Sequence, residues 1–144
     1  MLSDVGWFEH EDYRARHAYQ RILNLPLYGL SHERRAFMAL SVYVRHQGYL
    51  RDLSRDSFEL TEAAQKVLSY DERQYAVILG LAMRLAYTLT GGALNLLKHS
   101  ELKLDRETVI LTLYGQHRGM NGKVIEKHLE NLARNMACDS KIEF

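Results

Sequence analysis

Before Lys66 every basic residue of this 144-residue chain is an arginine: eight lie between Arg14 and Arg55, beside four of the seven histidines. A guanidinium is a planar, permanently charged fork that matches carboxylate and phosphate oxygens two at a time. The residues best placed for such chemistry are Arg14, Arg16 and Arg21, then Arg34, Arg35, Arg45 and His46. Arg14 and Arg21 are seven apart and Arg34 and Arg45 eleven apart, so each pair shares a face if its segment is helical. Together they would line a groove for a polyanion. The plainer reading is a set of solvated helix faces, with the arginines paired to Glu9, Glu11, Asp12 and Glu33.

A second chemistry is a divalent metal held by Asp4, His17 and His46. Neutral imidazoles bind such ions, but no two histidines stand four apart on one helix, and the first expectation is one ordinary hydrogen bond each. Cys138 is the single cysteine, which excludes an intramolecular disulfide and a cysteine zinc cluster, and it reads as a small apolar filler on the last helix. No glycine-rich loop follows a strand and opens a helix. Gly91-Gly92 reads as a helix stop, and Gly119 and Gly122 as a loop before a capped helix.

These side chains need helices to position them. Met1 to Gly6 reads as the end of a helix begun before Met1. Asp12 caps a helix to about Leu23 with Ala18, Ile22 and Leu25 on one side, and Pro26 and Gly29 force a turn. Ser31 caps a helix through His46, with Phe37, Leu40 and Val44 at helical spacing and Gly48 as its stop. Tyr49 to Leu60 is an irregular loop with a short helical turn, and Thr61 to Leu68 a short helix. Ser69 and Glu72 form a capping box that opens the longest helix, whose apolar stripe runs Tyr75, Ile78, Leu79, Ala82, Leu85, Ala86, Leu89.

Beyond His99 the period changes from helical to alternating. Glu101–Asp105 and Thr108–Tyr114 read as a hairpin, and Asn121 caps an amphipathic helix through Ile125, Leu129, Leu132 and Met136. Lys141–Phe144 is a last strand beside the hairpin, which alone would be marginal in water. The fold expected is mainly α: a helical bundle over 1–98 and a β-β-α-β subdomain over 99–144, in one compact unit.

The totals narrow the function classes. Nineteen basic and eighteen acidic residues leave a charge of +1, without the basic excess of a dedicated DNA binder. Met1–Gly6 lacks the basic start and apolar run of a signal peptide, and the apolar stretch Tyr75–Leu89 is broken by Arg84 and too short to span a bilayer. A cytoplasmic domain with no membrane partner is expected.

Met1-Leu-Ser-Asp-Val-Gly6 resembles the segment "LLHDIG", which carries the His-Asp pair of HD-type phosphohydrolases. With Trp7 and His10-Glu-Asp-Tyr-Arg14 it resembles the start of the C-terminal helical domain of the exopolyphosphatase/guanosine pentaphosphate phosphohydrolase (Ppx/GppA) family. Arg16-His17-Ala18-Tyr19, Leu25-Pro-Leu-Tyr-Gly-Leu-Ser31, Arg35-Ala-Phe-Met-Ala-Leu40 and Ala82-Met-Arg-Leu-Ala86 follow in the family's order. The resemblance covers nearly the whole chain, and the ordered series carries it rather than any single motif.

That resemblance implies an HD-like bundle with its metal site lost. Ser3 stands where the histidine would be, Asp4 is retained, and Tyr87 and Thr90 occupy the positions from which an aspartate should return. It implies no catalytic residue and no cofactor in this domain; magnesium and hydrolysis belong to N-terminal actin-like catalytic domains. Those domains, a second copy in a homodimer, and polyphosphate along the arginines are the partners implied. Two rivals stand beside it: a metal-dependent HD-type phosphohydrolase using Asp4, His17 and His46, and a stand-alone helical protein-interaction module.

Overall fold

The computed structural model describes residues 10–26, 28–48, 64, 66–115 and 122–144. The architecture is mainly α with a small C-terminal β part. Helices α1 (Glu11–Asn24), α2 (His32–Gln47) and α3 (Tyr70–Thr90) are followed by a 3₁₀ segment, Leu94–His99. Strands β1 (Ser100–Asp105) and β2 (Thr108–Leu113), helix α4 (Lys123–Asn135) and strand β3 (Asp139–Glu143) complete the order. By compactness the chain divides into Met1–Gly80 and Leu81–Phe144, within α3, while the change from helix to strand falls at His99–Ser100.

In the first unit α1 begins at Glu11, one residue before the expected cap at Asp12, because the His10 carbonyl accepts the Tyr13 and Arg14 N–H groups at 3.1 and 3.0 Å. Ala15, Ala18, Tyr19 and Ile22 form its buried stripe, and Leu25 is half-buried beyond its end. This stripe packs on α2, where the Tyr19 and Tyr43 rings meet edge to face at a centroid distance of 6.1 Å. Arg35 adds a tie, its Nη1 donating to the Leu23 carbonyl at 3.4 Å.

Ser31 caps α2 as its position implied, its Oγ accepting the Arg34 N–H at 3.3 Å, and Gly48 closes it in the left-handed conformation at φ +81°. From Ala39 to Arg45 every residue of α2 is buried, more than one face of a helix in contact with one neighbour can bury. The second neighbour is α3. At Gly80 an added Cβ would lie 2.5 Å from the Ser41 carbonyl oxygen and 2.6 Å from Val44 Cβ. Backbone meets backbone there, and only glycine fits.

The capping box at α3 is complete: the Ser69 N–H and hydroxyl both donate to Glu72 Oε2 at 2.8 Å, and Ser69 Oγ accepts the Glu72 N–H at 3.2 Å. Those bonds hold the exposed Glu72 carboxyl below the usual carboxylate range, the Ser69 N–H contributing most. Tyr75 and Leu79, expected in the buried stripe, are exposed, while Ala76, Val77, Gly80 and Leu81 are buried. The helix is apolar on most sides, so its orientation follows the close approach at Gly80 rather than the count of large side chains. Ala64, Lys66 and Val67 are helical, as expected of Thr61–Leu68. The end of the first expected helix, the loop Tyr49–Leu60 and Asn121 lie outside the described residues.

In the second unit β1 and β2 pair antiparallel through a two-residue turn in which Arg106 has φ +52°. β2 then pairs parallel with β3, the crossover running through α4, so the sheet order is β1-β2-β3. Val109, Leu111 and Leu113 of β2 and Ile125, Leu129, Leu132 and Ala133 of α4 are buried. On the other face of the sheet Lys103 pairs with Glu101 at 3.1 Å and Lys141 with Glu143 at 2.8 Å. The cap residue of α4 is Gly122, without a side-chain bond, rather than Asn121. Met136 sits at the C-cap, where the Cys138 N–H donates to the Ala133 carbonyl at 2.9 Å and the Ala137 N–H to the Arg134 carbonyl at 3.2 Å. This Schellman arrangement puts Ala137 at φ +55°, where glycine is favoured.

Two stability changes of opposite sign are expected, both read by denaturant unfolding. Gly80→Ala gains helix propensity but forces α2 and α3 apart, for a net loss of about 2 kcal/mol or more. Ala137→Gly relieves the left-handed alanine and stabilises by about 1 kcal/mol.

Candidate functional site

The cationic side chains gather on the outward face of α1. Burial of Ala15, Ala18, Tyr19 and Ile22 leaves His10, Tyr13, Arg16, His17, Gln20 and Arg21 exposed, with Arg14 half-buried at the edge of that face. Tyr13 is 59% exposed and stacks on His17, the ring centroids 6.1 Å apart and 21° from coplanar. His10 follows at 6.4 Å from Tyr13 and 51°. The spacing of His10, Tyr13, Arg14, His17 and Arg21 puts them on one helical stripe. The ring row was not anticipated from sequence, where Tyr13 drew no attention; its offsets of three and four from His10 and His17 were the available signal. Arg14, His17 and Arg21 each engage a neighbour as well.

On α2 the expected residues separate. Arg34 is exposed at the first turn and borders a groove of about 450 Å³ whose apolar lining includes Leu30, Phe37 and Met38. Glu33 and Glu72 share that rim, so its charge is mixed. Arg35 is half-buried with one donor committed to Leu23. Arg45 is only 6% exposed, because it falls in the stretch covered on all sides, and His46 is half-buried. The eleven-residue spacing of Arg34 and Arg45 does place them on one angular face, but that face is open at one end of α2 and closed at the other. The structure therefore leaves Arg16, Arg21 and Arg34 facing solvent, Arg14 at the margin, and Arg45 inside.

The metal alternative fares differently by residue. Asp4 and Ser3 lie outside the described residues. His17 is exposed and already stacked on Tyr13, and His46 is half-buried. Among the described residues no group of three His, Cys, Asp or Glu side chains is gathered as a metal would require. Thr90 Oγ1 donates to the Ala86 carbonyl at 2.9 Å and accepts the Gly92 N–H at 3.2 Å, which commits it to ending α3. The Tyr87 ring lies against Gly92, 3.2 Å from where a Cβ would stand. The Thr90 hydroxyl thus finishes a helix, and neutral hydroxyls such as these two are poor ligands for a divalent ion. Cys138 stands just past α4, half-buried, its Sγ 3.3 Å from the Met136 carbonyl.

A sequence model of one family, described as exopolyphosphatase, C-terminal, matches residues 1–144, the whole chain. The chain belongs to the exopolyphosphatase C-terminal family. No curated protein matches the chain closely enough to add a named relative. Within this exopolyphosphatase C-terminal domain the described helices include none long and apolar enough to cross a membrane.

In the domain's second unit one shifted histidine links stability to pH. Burial, then the charges of Arg84 and Lys127, push the His128 imidazole below its ordinary value. The folded state thus binds fewer protons here than the unfolded chain, and stability is lost as pH falls below about 6.5. His128→Gln is expected to flatten that loss between neutral and mildly acidic pH, read as the shift of the unfolding midpoint with pH.

Proposed function

We propose that this domain serves an exopolyphosphatase or guanosine pentaphosphate phosphohydrolase without carrying out its chemistry. It would hold no catalytic residue and no metal, pack against N-terminal actin-like catalytic domains that use magnesium, take part in dimerisation, and lend cationic surface to a polyphosphate channel. Membership of the exopolyphosphatase C-terminal family supports the parentage.

The observation that carries the binding part is the outward face of α1, where Arg16 and Arg21 stand exposed among His10, Tyr13 and His17. Polyphosphate is a flexible chain with a negative charge on every unit, so its binding should draw on guanidinium contacts and counterion release much as a nucleic-acid backbone does. Exposed guanidinium forks with planar rings between them suit such a chain better than a single deep pocket would. The commitment of Thr90 to the end of α3 supports the noncatalytic reading over a metal-dependent HD-type hydrolase.

Replacing Arg16, Arg21 and Arg34 together by alanine should weaken binding of long-chain polyphosphate about tenfold or more. It should also reduce the slope of log affinity against log salt by about one for each phosphate contact removed. Fluorescence titration at several salt concentrations reads both. Unchanged affinity and slope would remove the α1 face from the proposal.

A further inference from the structure

The sheet of the second unit ends in an open edge with apolar side chains on it. Among the described residues β1 has β2 on one side and no strand on the other. Leu102 is 44% and Leu104 56% exposed, although the register sets them opposite Leu111 and Val109, which are buried. The apolar face of the sheet therefore continues onto β1 and is not fully covered there.

The backbone of that edge can be read from the ladder. The Tyr114 N–H donates to the His99 carbonyl at 2.8 Å, which makes His99 opposite Tyr114 a hydrogen-bonded pair. Such pairs alternate along an antiparallel ladder. Glu101, Lys103 and Asp105 thus bond to β2, while Leu102 and Leu104 turn their N–H and C=O groups to the open side; the Ser100 N–H donates to the Leu97 carbonyl, so Ser100 offers only its C=O there. An open edge with exposed leucines is a template for another strand.

We infer that β1 pairs antiparallel with β1 of a second copy of this chain, about a two-fold axis at Leu102. In that register Leu102 faces Leu102 of the second copy, Ser100 and Leu104 face each other, and Glu101 and Lys103 face each other twice. The two Leu102 residues exchange both backbone bonds, each Leu104 N–H meets a Ser100 carbonyl, the leucines stay on one side, and each charge meets its opposite. Sliding by two residues is the smallest shift that keeps the leucines together. It sets Glu101 against Glu101 in one direction and Lys103 against Lys103 in the other, and like charges directly opposite are unfavourable. A charged edge residue ordinarily discourages pairing; here Lys103 already pairs with Glu101 of its own strand at 3.1 Å, and the two-fold register offers it a second Glu101. The pairing joins two three-stranded sheets into one of six strands and gives a surface to the dimerisation proposed above, on which it rests.

Sedimentation equilibrium of the protein and two variants tests this. The parent should dimerise. Lys103→Glu puts glutamate against glutamate at two places and should raise the dissociation constant roughly tenfold. Exchanging the pair, Glu101→Lys with Lys103→Glu, should restore the dimer. Both sites are on the sheet's polar face, and circular dichroism checks that the fold is kept. In a Cys138→Ala background Leu102→Cys should form an interchain disulfide on mild oxidation, since hydrogen-bonded partners lie about 5.5 Å apart at Cα, and Leu104→Cys should not. A dimer indifferent to Lys103→Glu, with no Leu102→Cys cross-link, overturns this pairing and leaves dimerisation standing elsewhere. A parent that stays monomeric at high concentration overturns both.

Discussion

The helical unit is organised by one close approach, that of the α3 backbone at Gly80 to Ser41 and Val44 of α2. Without a side chain at Gly80, α3 reaches the α2 backbone itself, and α2 is enclosed between α1 on one flank and α3 on the other. That enclosure buries Ala39 to Arg45 without a break. It also decides which of the described arginines reach solvent: the outward face of α1 and the first turn of α2 stay open, while the stretch holding Arg45 is closed.

The same constraint divides the arginines by depth rather than by spacing. Arg16, Arg21 and Arg34 reach solvent, Arg35 is drawn into the α1–α2 contact by Leu23, and Arg45 goes inside. On α1 the two outward arginines stand beside the Tyr13–His17 stack. In the second unit the balance is different: the charged face of the sheet pairs within itself through Lys103–Glu101 and Lys141–Glu143, leaving no excess to attract phosphate. Recognition of charge and association of chains would then belong to separate parts of the domain.

Much of the fold was legible in the sequence because its punctuation is local. Ser31, Gly48, the Ser69–Glu72 box and the Gly91-Gly92 stop each act within one helical turn, and each stands where its residue type implied. The change of period after His99 announced β1, β2, α4 and β3 in order. The buried face of α3 was not legible, since a helix apolar on most sides is oriented by a glycine whose role exists only once α2 is beside it. Arg45 misled for the same reason: its spacing from Arg34 is right for a shared face, and the covering of that face comes from elsewhere in the chain. Depth is a tertiary property, and no periodicity within α2 encodes it. The cap expected at Asn121 shifted to Gly122, and the Tyr13 ring row was missed because aromatic residues at helical spacing ordinarily mean core.

The proposed function requires this domain to hold polyphosphate without cleaving it. Phosphorus NMR of polyphosphate with magnesium and this chain separates the two acts in one sample. Chain resonances should broaden on addition of protein, and the orthophosphate signal should not grow. Orthophosphate accumulating in proportion to the protein added would contradict that requirement.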